Sequence, residues 1–136
     1  AAFPETAAYL YENLQGTLPA VSLVDAVALN TAFANDQAPD LTMAQQILGL
    51  GQAGDALLGI STSGNSANVL YATQVARVQG LTAIALTGES GGKLKDIADI
   101  TIRVPARETF KIQEYHLPVY HALCIAAEEE FFGREG

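Results

Sequence analysis

The chain has 136 residues, 49% of them hydrophobic and 16% charged. That balance suits one globular domain and excludes both intrinsic disorder and two full domains. Seven basic residues against fifteen acidic ones leave a formal charge of −8, so the overall field repels phosphate backbones and argues against a nucleic-acid partner. The acidic run Glu128, Glu129 and Glu130 reads as a solvated helix face. The single cysteine, Cys124, lies in an apolar stretch, which predicts a buried thiol and a reducing compartment, by default the cytoplasm.

The first sixteen residues contain Glu5 and Glu12 and no basic cluster, so they do not read as a signal peptide. No apolar run approaches the roughly 18 to 20 residues of a membrane span, and no membrane partner is expected. A helix is predicted over residues 4–15, opened by Pro4 and closed by Gly16, followed by a strand at 18–23. Residues 24–34 and 40–50 read as helices, the second with Asp40 as its cap and Gly49 and Gly51 at its exit.

From there the pattern changes. ALLGI (56–60), LTAIAL (81–86) and DITIRV (99–104) are short apolar runs without alternation, as expected of parallel strands buried on both faces. Between them, residues 66–79 place Val69, Ala72, Thr73 and Ala76 at helical spacing, and a shorter helix is predicted at 92–98. A long helix at 109–132 ends the chain, with Pro118 expected to kink it and His116 expected in the core beside Ile112, Val119 and Leu123. Strands alternating with helices predict an α/β fold with a parallel sheet sandwiched by helices.

GISTSGNS (59–66) sits between a buried strand and an amphipathic helix. Orphan N–H groups and the positive end of the macrodipole make a helix start an anion site. Ser61, Thr62, Ser63 and Ser66 add four hydroxyl donors, Gly64 lets the backbone turn, and Asn65 or Ser66 is available to cap the helix. A plain capped turn needs only one hydroxyl, so four in six residues point to a phosphate. There is no GxxxxGK[ST], and no GxGxxG with the downstream acidic residue of a dinucleotide site, which disfavours a nucleoside triphosphate or dinucleotide and favours a phosphorylated small molecule.

The run GISTSGNSANV (59–69), with LTG and GGK (86–93), IRVP (102–105) and IQEYH (112–116), resembles the sugar isomerase (SIS) domain family, specifically its phosphoheptose isomerases. The similarity spans about Leu18 to Phe132. It implies a flavodoxin-like fold around five parallel strands, of which four are predicted here. It also implies phosphate contacts at Ser61, Thr62, Ser63 and Ser66, sugar contacts at Asn35 and Asp36, and metal ligation by Gln113 and His121. Gln113 is also implied to touch the substrate, and His121 to take part in catalysis. Zinc is the implied cofactor, a phosphorylated sugar the implied ligand, and a homotetramer the implied assembly. Independently of the resemblance, Gln113 and His121 are eight residues apart on a helix, so both side chains can face one site.

Three features of the family pattern have no counterpart. A Gly-Asn-Gly-Gly-Ser loop, a helix carrying a metal-binding His and a Glu base, and an Asp before the IQE segment, here Phe110, do not occur. In a flavodoxin-like 2-1-3-4-5 order the absent first strand would be central, so the sequence is expected to lack an N-terminal segment. Two functions compete: an aldose–ketose isomerase acting through an enediol, and a non-catalytic SIS module that binds a phosphosugar or a protein partner for regulation.

Overall fold

The structure is a computed structural model that describes residues 3–133. Helix α1 (Pro4–Asn13) starts on Pro4, whose missing N–H costs nothing in a first turn, and it buries none of its side chains. A π-helical turn (Leu29–Phe33) runs into the short α2 (Ala34–Asp36), and a 3₁₀ turn (Pro39–Leu41) leads to α3 (Thr42–Leu50). Strand and helix then alternate as β1 (Ala56–Ile60), α4 (Ala67–Val78), β2 (Thr82–Thr87), α5 (Leu94–Ile97), β3 (Ile100–Arg103) and α6 (Thr109–Phe132).

The sheet has the order β1-β2-β3 and is parallel throughout, with Ala56 opposite Thr82, Ile60 opposite Leu86 and Ile84 opposite Ile100. Parallel pairing brings all three carboxyl ends to one edge, and the loops after them form the site. On one face α4 buries the predicted stripe of Val69, Ala72, Thr73 and Ala76. Val69 packs with Ala85 and Leu94, while Ala72 and Ala76 pack with Ile47 of α3 and Leu81. On the other face Leu86 of β2 packs with Val104, Ala106 and Ile112.

Several expectations need correction. Residues 18–23 form no strand; Val21 is 69% exposed, and the Leu23 carbonyl accepts hydrogen bonds from Gln46 Nε2 at 2.8 Å and Asn30 Nδ2 at 3.2 Å. A strand needs a ladder partner, and among the described residues β1 pairs with β2 alone, leaving a groove of about 830 Å³ between residues 19–24 and β1. The sheet among the described residues therefore has three strands and not four.

Burial on both faces holds for β2 but fails at β1, where Leu58 and Ile60 are 41% and 47% exposed, and at β3, where no residue is buried and Ile100 is 51% exposed. Cys124 is exposed, because α6 buries only Ile112 and His116, touches the core again at Val119, and is mostly exposed beyond it. His116 is buried as expected, whereas Leu123 is exposed. The helix expected at 24–34 begins later, and Asp40 lies within the 3₁₀ turn while Leu41 holds the cap position of α3. α6 runs unbroken through Pro118.

Candidate phosphate-binding site

The serine loop follows β1 directly and is fixed on several sides. Ser61 N–H donates to the Leu86 carbonyl at 3.0 Å, which extends the β1–β2 ladder by one residue, and Gly88 N–H donates to the Thr62 carbonyl at 3.0 Å. Gly64 has φ of +66°, a left-handed conformation that glycine adopts without strain. Its carbonyl accepts from Leu94 N–H at 2.9 Å, and Asn65 Oδ1 accepts from Lys93 N–H at 3.0 Å, so the loop is stitched to the Gly91–Gly92 turn after β2.

The hydroxyls divide into two pairs. Ser61 and Ser66 share a hydrogen bond of 2.9 Å between their Oγ atoms, with Ser61 buried. Ser66 stands at the cap position of α4 without capping it; Asn68 Oδ1 accepts from the Val69 N–H at 2.9 Å, so the N–H groups of Ala67 and Asn68 are the helix-start donors that face an anion. Thr62 and Ser63 line a cavity of about 470 Å³ together with Asn65, Gly88 and Ile112. It lies at the carboxyl ends of the strands, where open α/β sheets bind ligands.

The sequence reading missed three lining residues: Glu89, Ser90 and Arg107. They stand just past β2 and β3, and their position beyond strand ends was the available signal. Glu89 and Arg107 form an ion pair across the two loops, beside a backbone bond from Glu89 N–H to the Ala106 carbonyl at 3.0 Å. The hydrogen bond to Glu89 holds the Arg107 pKa above its ordinary value. Next to it, a hydrogen bond from Lys111 Nζ at 3.1 Å holds the Glu108 carboxyl below the usual glutamate value.

The remaining expected residues lie elsewhere. Asn35 and Asp36 are exposed in α2, joined by a side-chain hydrogen bond of 2.9 Å, and do not line the cavity. Gln113 and His121 are exposed on α6 and do not line it either. Ile112 turns inward, and one residue further the helix has rotated by about 100°. The His121 ring stands edge-on to Tyr120, with centroids 5.0 Å apart. Zinc sites use three or four protein ligands, and no group of three or more His, Cys, Asp or Glu side chains comes together among the described residues. Gln113 and His121 alone therefore do not make a zinc site.

The sequence and the fold have counterparts in known proteins. A phosphoheptose isomerase of Nitratiruptor sp. is 47% identical over 122 residues, covering 89% of this chain. One from Shewanella sp. strain ANA-3 is 44% identical over 128 residues, covering 92%. The chain spans 65% of the length of each. The structure of phosphoheptose isomerase GmhA from Neisseria gonorrhoeae superposes with a TM-score of 0.80 at 42% identity, over 82% of this chain and 62% of that one. A phosphoheptose isomerase from Francisella tularensis gives 0.78 at 41%, over 81% and 59%. The SIS domain profile itself matches residues 8–88, which takes in β1, the serine loop, α4 and β2, so the chain belongs to the SIS domain family.

Proposed function

We propose that the protein is an aldose–ketose isomerase of a sugar phosphate, acting on sedoheptulose 7-phosphate or a close analogue. The observation that carries this reading is the serine loop, whose Thr62 and Ser63 open on the strand-end cavity while Ser61 and Ser66 brace the backbone from below. The identity of 44% to 47% to proteins named phosphoheptose isomerase supports it. In this reading Ser61, Thr62, Ser63 and Ser66 form the phosphate handle. Asn35, Asp36 and Gln113 contact the sugar, and His121 exchanges the proton that moves between adjacent carbons.

Zinc, with Gln113 and His121 among its ligands, belongs to the same proposal and would supply Lewis acidity near the developing oxyanion. Two ligands do not hold zinc by themselves, so its remaining ligands would come from groups outside the described residues. The unpaired edge of β1 and the groove beside it support a further segment packing there. Among the described residues no helix is long and apolar enough to cross a membrane, and the reading places the protein in the cytoplasm. A homotetramer fits the apolar side chains exposed along α6, such as Leu117, Ile125 and Phe131.

Incubation of the purified whole protein with sedoheptulose 7-phosphate, followed by chromatography of the sugar phosphates, should show the aldose form appearing. His121→Ala should abolish turnover while leaving phosphosugar binding intact. The second reading, a non-catalytic SIS module, is favoured by one observation, the lack of a three-ligand metal group among the described residues. Binding without any turnover in the zinc-loaded whole protein would establish it in place of the first.

A further inference from the structure

The serine loop offers a phosphate only neutral donors, namely hydroxyls and backbone N–H groups. Among the described residues lining the cavity, Arg107 is the one cation, and it stands paired with the one carboxylate, Glu89. Neither group is locked away, since the side chains are 84% and 50% exposed. Of the other nearby cations, Lys95 Nζ donates to the Ser90 carbonyl at 3.0 Å and Lys111 to Glu108, while Lys93 and Arg103 do not line the cavity. A dianion seated on Thr62 and Ser63 would thus share the cavity with a carboxylate and with the guanidinium that neutralises it.

We propose that Arg107 is a phosphate-binding residue held in reserve by Glu89. On ligand entry the guanidinium leaves the carboxylate for the phosphate, so Glu89 acts as an internal competitor that sets affinity for doubly charged phosphate esters. This inference rests on the serine loop being the phosphate site. The chemistry favours the exchange, because a planar guanidinium accepts carboxylate and phosphate in the same forked geometry and a phosphate ester carries the larger charge. Backbone anchoring by the Glu89–Ala106 bond keeps the two loops together whichever anion the arginine holds.

The two partners should then act in opposite directions. In calorimetry on the whole protein with sedoheptulose 7-phosphate, Arg107→Gln should weaken binding about three- to fivefold and Glu89→Gln should tighten it by a similar factor, the scale of exposed charge pairs. Arg107→Lys should restore part of the loss, and binding of unphosphorylated sedoheptulose should not change in any variant. If both single variants weakened binding together, the pair would be a loop staple and the proposal would fail. It would fail equally if neither moved the affinity while Ser63→Ala did, an outcome that leaves the serine loop standing. Unchanged binding in Ser63→Ala would instead bring down the loop reading and this inference with it.

Discussion

At the residue scale, Gly64 is the tightest point of the site. A Cβ there would lie 2.1 Å from the Gly91 carbonyl oxygen, and the φ of +66° already disfavours any other residue. Both obstacles are backbone, so neighbouring side chains cannot yield. Gly64→Ala should cost about 2 to 4 kcal/mol of stability in urea unfolding, combining left-handed strain with a steric clash. The hydroxyls make a gentler test. Replacing Ser61 and Ser63 by Ala together should cost about 1 to 3 kcal/mol of phosphosugar binding by calorimetry, the scale of neutral hydrogen bonds. Undiminished affinity would contradict the handle assigned to the loop. The hydroxyl cluster could be read from the sequence because a helix start needs few donors and this one has many. Glu89 and Arg107 could not, because they are eighteen residues apart and meet only when β2 and β3 lie side by side.

At the element scale, α4 was foreseeable to within one residue at each end, with all four predicted positions buried. Its stripe packs on a sheet the chain itself supplies. Residues 18–23 have equally strand-like composition and form none, since a strand exists through its ladder partner and not through its own side chains. The free thiol of Cys124 teaches the same lesson: apolar neighbours in sequence do not bury a residue that its helix leaves exposed. Two elements offer direct tests. Gly49 lies near the end of α3, and a Cβ there meets nothing within 4 Å, so Gly49→Ala should stabilise by about 0.5 to 1 kcal/mol through helix propensity alone. At the start of α6 the Lys111 hydrogen bond lowers the Glu108 pKa. A depressed carboxylate stabilises the fold above its unfolded value and loses that contribution as pH falls through the folded one. NMR titration should therefore find Glu108 protonating at lower pH than a free glutamate, and Lys111→Ala should move it back up.

At the scale of the whole molecule, the sheet is unevenly covered. One face is closed by α4, with α3 behind it, while the other is closed only where the start of α6 meets Leu86, leaving Leu58, Ile60 and Ile100 exposed. Together with the apolar side chains along α6, this predicts association: light scattering on the whole protein should report a tetramer at micromolar concentration, and a monomer would reject the assembly. The two flanks of the sheet also differ in what they leave unpaired. In a parallel strand alternate residues turn their amides to opposite neighbours, and since Ser61 bonds toward β2, the amides of Leu58 and Ile60 turn toward the groove. Those protons have no ladder partner, whereas β2 is paired on both sides. In deuterium oxide the central strand should hold its amide protons longest, and in residues 1–136 taken by themselves those facing the groove should be replaced first, so that isotope uptake traces the open edge of the sheet one residue out of two.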